Sequence, residues 1–301
     1  MTVAVYVPLL LAVLLAVVSR RVARALSPAS AASALLGAAA LTAAGSTWGL
    51  ALLAATLVND LPPVTERLAV PLVGGDPVPA IVAAVAMGML TVGACRLVVK
   101  TRTRQLTYRA VREICQHSTA TELVVVSADE PQAFAVPGRI GRSGHILVTS
   151  GMLAALDQEE RAVLLAHERA HLRDGHHWRR AVLEAAAALN PLLRPTRDAV
   201  ALLLERCADE AAADAVGSRE AVARSVARAA LAGAAARRGV PLAFERFAVS
   251  TRVAALQVAP PPRRPVIAAG VVLLGFATML AAGDATLAFA EFLERVLPGG
   301  V

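Results

Sequence analysis

Two histidines four residues apart, His167 and His171, flank Glu168 inside the segment Leu164 to Leu172. On a helix, residues at that spacing share a face and can hold one ion together. Neutral imidazole nitrogens suit zinc, which they bind at about 2.0–2.1 Å. Glu168, beside the first histidine, is then placed to take the proton of an attacking water. The run Asp157-Gln158-Glu159-Glu160 just before puts a carboxylate at an N-cap and another three residues on, the form of a capping box. On the pentapeptide alone the competing reading is a helix with two satisfied histidines and a solvated glutamate.

A third ligand separates the two. Glu205-Arg206-Cys207-Ala208-Asp209 lies in a second helical pattern, preceded by Pro195 and Thr196 and followed by Gly217 as a C-cap. Glu205 can complete a site of two histidines and one glutamate that keeps a coordination position open. Asp209, one turn on, can accept the free N–H of a ligand histidine and fix its tautomer. The rival is a solvated acidic face, because Glu210 and Asp214 are close by. Ala208, Ala211, Ala212 and Ala213 favour close helix packing instead. Cys95, Cys115 and Cys207 show no paired ligand spacing and no disulfide framework. Cys207 lies two residues from Glu205 and so faces away from it on a helix.

The elements that must position these residues are largely apolar. The chain has 301 residues, is 56% hydrophobic and only 3% aromatic. Soluble domains average nearer 45–50% apolar, and here the excess is gathered in blocks. Runs at about 3–18, 31–58, 80–99 and 266–283 read as four transmembrane helices. Small residues in the second run permit close helix contact in lipid. Arg20, Arg21 and Arg24 follow the first run, Lys100, Arg102 and Arg104 the third, and Arg263 and Arg264 precede the fourth. The positive-inside rule then places both termini outside and residues 101–265 in the cytoplasm. Residues 1–100 thus carry three spans, 101–265 a cytoplasmic domain, and 266–301 the fourth span and a short external tail. The basic balance does not point to direct nucleic-acid binding, because the arginines are dispersed and few aromatics are available to stack bases.

Thr101 to Ser118 reads either as a basic amphipathic helix on the lipid headgroups or as a continuation of the third span. Glu122–Val126, Gln132–Val136 and His145–Thr149 are strand candidates, with a glycine-bearing turn over Pro137–Gly144. Asn190–Pro195 reads as a loop and Ser218–Arg238 as a helix stopped by Gly239. His176 and His177 read as structural or solvated.

The H-E-x-x-H of His167–His171, followed by the E-x-x-x-D of Glu205–Asp209, resembles the membrane gluzincin metallopeptidases. These include CAAX prenyl proteases, HtpX-type quality-control proteases and BlaR/MecR-type regulatory peptidases. Four spans with the motif between the third and fourth resemble the BlaR/MecR type most closely. The resemblance implies a mainly α membrane protein of the bacterial plasma membrane, with a cytoplasmic α+β zinc peptidase domain. It implies one Zn2+ per chain on His167, His171 and Glu205, with Glu168 as the catalytic base and Asp209 orienting a ligand. It also implies an edge strand above the metal that pairs with extended substrate. Gln132-Ala133-Phe134 stands where relatives carry N-A-F, with Gln in place of Asn. Arg252 to Leu256 resembles the end of the peptidase domain. No oxyanion donor besides the metal is assigned, and Arg219 is one option. The substrate implied is a cytoplasmic repressor of the BlaI/MecI type, with self-cleavage open. A penicillin-binding sensor is not expected: Asp284–Val301 is short, and the single lysine, Lys100, has Leu97 three residues before it, so no S-x-x-K is present. Two alternatives stand beside this: HtpX-like degradation of membrane proteins, and a non-proteolytic receptor whose zinc only stabilises the domain.

Overall fold

The computed structural model describes residues 6–59, 79–116, 122–138, 144–236 and 243–296. The polar connection expected over Asn59–Pro79 and the stop at Gly239 fall almost wholly outside them, as does most of the turn over Pro137–Gly144.

The chain opens with helices α1 (Val7–Ala25), α2 (Pro28–Asn59) and α3 (Ala80–Gln116) and ends with α10 (Pro265–Val296). Among the described residues three helices are long and apolar enough to cross a membrane: Pro28–Thr56, Ala80–Cys115 and Pro265–Glu291. α1 is shorter, and its apolar stretch runs into Arg20, Arg21 and Arg24 within the same helix. α10 continues well past Gly283, so Asp284 lies on a helix and not at the start of a separate tail. α2 and α10 lie close because small residues face each other. A Cβ on Gly275 would lie 2.8 Å from Ala38 Cα, and one on Gly45 only 2.9 Å from Thr278 O. Thr278 Oγ1 donates to Leu41 O at 3.2 Å, and Trp48 Nε1 donates to Thr286 Oγ1 at 2.8 Å. This is lipid-type packing, in which backbone approach and polar contacts replace a hydrophobic drive.

α3 is one continuous helix through Gln116, so the basic segment after Val99 extends the apolar run and does not form a separate surface helix. Its last turns reach the sheet. β1 (Leu123–Val126), β2 (Ala133–Val136) and β3 (His145–Thr149) form a three-stranded sheet in the order β1-β3-β2. β1 is parallel to β3, and β2 is antiparallel to it with Phe134 opposite Leu147. One sheet face packs Val124, Val136 and Leu147 on Cys115 of α3. The other packs Ile146 and Val148 on the short helix α4 (Ser150–Ala155) and on Leu164, Leu165 and Leu172 of α5 (Gln158–Arg173).

α6 (His176–Leu189), a 3-10 turn at Pro191–Leu193 and α7 (Arg194–Val216) form a hairpin, followed by α8 (Arg219–Ala236) and α9 (Ala243–Leu256). The expected loop at Asn190–Pro195 is therefore helical except at Asn190, whose side chain caps the 3-10 turn by accepting from Leu192 N. α6 runs antiparallel beside α3. Arg104 donates to His177 O near its start, Lys100 pairs with Glu184 at 3.7 Å midway, and a Cβ on Gly93 would touch Leu189 O near its end. Asn190 Nδ2 donates to Ser46 Oγ, within α2, at 3.0 Å. Leu183, Leu193, Val200, Leu203 and Leu204 share one buried core with Ala12, Leu15, Leu35 and Val271. So one face of residues 183–204 packs into the core of the apolar helices.

Candidate metal centre

α5 starts as its sequence dictates. The Asp157 carboxylate accepts from Glu160 N, and the Glu160 carboxylate accepts from Asp157 N, each at 2.9 Å. With that register fixed, Val163 and Ala170 turn inward, and so do His167 and Glu168. α7 ends at Gly217, with φ of 74°. Its buried Ala208, Ala212 and Ala213 let it lie close against α5.

The result brings together the three residues that spacing had singled out. His167 Nε2 and His171 Nε2 lie 3.1 Å apart. Glu205 Oε2 is 3.5 Å from the first and Oε1 is 3.5 Å from the second. All three ligand atoms lie within 4.8 Å of one another. Tetrahedral zinc with ligand distances of about 2.0–2.1 Å would set its donors about 3.3 Å apart, so the spacing fits.

The opposite ring nitrogens are spoken for. His167 Nδ1 is 3.0 Å from Asp209 Oδ1, and His171 Nδ1 is 2.7 Å from His176 Nδ1. Burial lowers the His171 imidazole to about 3 and the His176 imidazole to about 4. Both rings are therefore neutral near pH 7. Burial also pulls His167 down, but the hydrogen bonds it donates to the Asp209 and Glu205 carboxylates outweigh it and push this ring up to about 10. Two carboxylates thus favour a positive charge at this spot, and the neutral His171 ring, its outer nitrogen held by His176, offers a lone pair to it. The donor set fits a divalent zinc ion.

Asp209 lies between His167 and Arg252 and contacts both. Of the two readings of His176, structural or solvated, the solvated one is excluded: it is 1% exposed and its Nδ1 lies against His171. Two arginines were missed. Arg252 on α9 holds Asp209 through Nε and Nη2 at 2.8 and 2.6 Å, and its Nη1 is 3.2 Å from Glu205 Oε2. Arg180 on α6 pairs with Glu205 Oε1. Against the upward push of burial, His167 and then Arg252 hold Glu205 low, and Arg252 and then His167 hold Asp209 low. Arg219 lies elsewhere. It pairs with Glu210 at 2.8 Å and donates to the carbonyls of Ala255, Leu256 and Val258.

Glu168 is buried beside the ligands, and burial pushes its carboxyl up, opposed by the His167 charge. Its carboxylate accepts the backbone N–H of Ala135. β2 is the edge of the sheet formed by the described residues. The Gln132 carbonyl accepts from Thr149 N at 3.0 Å, so the main chain of Gln132 and Phe134 points at β3. By strand alternation the N–H and C=O groups of Ala133 and Ala135 point the other way. A 330 Å³ cleft lined by Ala133, Ala135, Glu168, His171 and Tyr108 opens on that side. Phe134 is half-exposed beside it, not in the core.

Residues 99–193 match the profile described as peptidase family M48. Over 49 residues the chain is 47% identical to a protein described as "Protease HtpX homolog" from Acidiphilium cryptum (strain JF-5), which covers 16% of this chain. The chain matches only 17% of that relative's length. No solved structure matches the chain. The family match takes in α5 and β1 to β3 with both histidines, and stops before Glu205 and Asp209, whose place in the site comes from the fold alone.

Proposed function

We propose that this chain is a membrane-anchored zinc endopeptidase that hydrolyses a cytoplasmic protein. The convergence of His167, His171 and Glu205 beside the buried carboxyl of Glu168 carries the reading, and the two similarities agree with it. Zinc, when bound, polarises a carbonyl and acidifies water. The chain's own groups do the rest. Ala133 and Ala135 offer main-chain groups to an extended peptide. Glu168, held at the strand edge, takes the proton of the attacking water and passes it to the departing amine. Asp209 orients His167, His176 orients His171, and Arg252 holds Asp209 in place.

In this proposal α1 is a fourth span, both termini lie outside the plasma membrane, and the sheet, α5, α8 and α9 face the cytoplasm. Regulated cleavage of a BlaI/MecI-type repressor is the narrower reading, supported by the four-span plan. HtpX-like quality control is the second, favoured by the similarity to the HtpX homologue. Proteins that accumulate in a deletion strain separate them, as one regulator or many membrane substrates.

The test is Glu168→Gln in purified full-length protein. It keeps one zinc per chain by elemental analysis and lowers peptide cleavage roughly 10²–10⁴-fold. Undiminished cleavage would remove Glu168 as the base, and normal signalling with an intact substrate would favour a non-proteolytic receptor.

A further inference from the structure

We infer that the peptidase site reads acidic residues on one flank of its substrate, through a basic cleft that continues from the metal centre. This rests on the peptidase reading above and deepens it. The cleft has a volume of about 870 Å³ and lies between α3 and α6. Lys100, Arg104, Tyr108 and Arg112 recur every four residues along α3 and so form one stripe. All four line the cleft together with Arg109. Its lining holds four cations, Lys100, Arg104, Arg109 and Arg112, against two carboxylates, Glu113 and Glu184. Glu184 already lies 3.7 Å from Lys100 and 3.8 Å from Arg197. Arg104 is anchored by the His177 carbonyl and Arg112 by the Pro137 carbonyl at 3.1 Å. Carbonyls carry no formal charge to cancel the guanidiniums. Both also flank the Tyr108 ring, at 5.2 and 5.7 Å from its centroid. Two of the four cations are thus held in place, and the lining is net positive before any ligand arrives.

Two observations join this cleft to the chemistry. Tyr108 and His177 line both the basic cleft and the smaller cleft over His167, Glu168 and Glu205. Pro137 and Gly138, which line the basic cleft, follow β2 directly in sequence. A peptide paired along β2, with its scissile bond near Ala135 and Glu168, advances about 3.3 Å per residue. It therefore meets Arg112 and Tyr108 about two to four residues from that bond. A second cavity, of about 1130 Å³, shares Ala133, His167 and Glu168 with the metal-site cleft. Val163, Leu164, Val222 and Val226 are among its walls, and its two arginines, Arg180 and Arg252, are already paired with Glu205 and Asp209. The two flanks of a bound peptide thus meet different chemistry, acidic-selective on one side and apolar on the other. The rival occupant of the basic cleft is an anionic lipid headgroup, since Lys100 ends an apolar run and Trp178 is 69% exposed. Continuity with the metal centre and with the end of β2 favours the peptide.

The test uses full-length protein in zwitterionic detergent, loaded with zinc and carrying Glu168→Gln so that peptides bind uncut. Two labelled dodecapeptides share one apolar centre and differ only in Glu-Glu or Gln-Gln pairs two to four residues to either side. Fluorescence anisotropy should show the matching Glu-Glu peptide bound roughly tenfold more tightly at low salt, with the gap closing at about 0.5 M salt. Arg109→Gln with Arg112→Gln should abolish the preference and leave the Gln-Gln peptide bound as before. Arg109→Glu alone, at an exposed position, guards against misfolding and should weaken only the acidic peptide. Equal binding of both peptides overturns the inference. So does a phosphatidylglycerol-dependent rise in thermal stability that the arginine variant loses while peptide preference is absent, which would make this a headgroup site. Cleavage of the Gln-Gln peptide by protein with Glu168 intact, without acidic preference, sinks the cleft and leaves the peptidase. Acidic preference without any cleavage does the reverse.

Discussion

The metal centre is built from two helices that meet different surroundings. α5 supplies His167, Glu168 and His171. It starts at a capping box and packs on the sheet, α7, α8 and α9. α7 supplies Glu205 and Asp209, but its first half lies elsewhere. Val200, Leu203 and Leu204 are buried with Ala12, Leu15 and Leu35 of the apolar helices. Glu205 follows Leu204 directly, so it is set by packing within the helical bundle. The histidine pair is set by the sheet. The metal centre is thus a seam between two bodies, and its geometry depends on how α7 sits in the first body relative to α5 in the second.

The largest expected effect tests whether both sides of the seam are needed. His167→Ala and Glu205→Ala should each lose the single zinc, read by elemental analysis after dialysis, and lose cleavage with it. Bound metal contributes folding energy when its ligands come from separate elements. Both variants should therefore also unfold at lower temperature. Full zinc in Glu205→Ala would show that α5 suffices and would break the comparison. Glu210→Ala keeps its zinc, because Glu210 faces Arg219 instead.

A smaller effect lies one shell out. Asp209 holds His167 across the seam, whereas His176 holds His171 from the next helix in sequence. Asp209→Ala and His176→Ala should each weaken zinc affinity roughly 10–100-fold, measured by competition with a chelator. Asp209→Ala should be the worse of the two, because it also removes both hydrogen bonds between Arg252 and this carboxylate and leaves that mostly buried guanidinium its contact with Glu205. Equal losses would mean that Arg252 finds another partner.

What the sequence made legible was local and periodic. The i, i+4 spacing in His167–His171 and in Glu205–Asp209 fixes a shared face on any helix, and the capping box marks where α5 begins. β1, β2 and β3 were legible from β-branched and apolar runs between turn residues. The docking of α6 and α7 was not. Glu184, Asn190 and Arg194 interrupt its apolar residues, and Asn190–Pro195 reads as a loop. Only contacts distant in sequence, such as Asn190 with Ser46 and Glu184 with Lys100, show how those polar groups are satisfied among apolar helices. Arg252 and Arg180 were hidden for a similar reason. A lone arginine has no period, and its partner in space is set by the fold. His176 lies five residues beyond His171, across Gly175 with φ of 61°, so helical spacing could not relate the two rings.

The smallest effects separate the two bodies by stability. Asp157→Ala removes the cap of α5 and costs about 1 kcal/mol. His167 lies about three turns further along, so fraying of the first turn leaves zinc affinity unchanged. Ser46→Ala removes the hydroxyl that accepts from Asn190 at the end of α6. Polar contacts between membrane helices average only about 0.6 kcal/mol, because the separated helices find other partners. Asn190 also keeps its own turn contact, accepting from Leu192 N at 3.1 Å. Thermal unfolding in detergent should therefore show a smaller shift for Ser46→Ala than for Asp157→Ala, with zinc retained in both. A larger shift for Ser46→Ala, accompanied by weaker zinc binding, would mean that the α6–α7 hairpin is held in register mainly at its tip. Glu205 would then depend on a contact at the far end of the hairpin, and the seam would be controlled from within the apolar bundle.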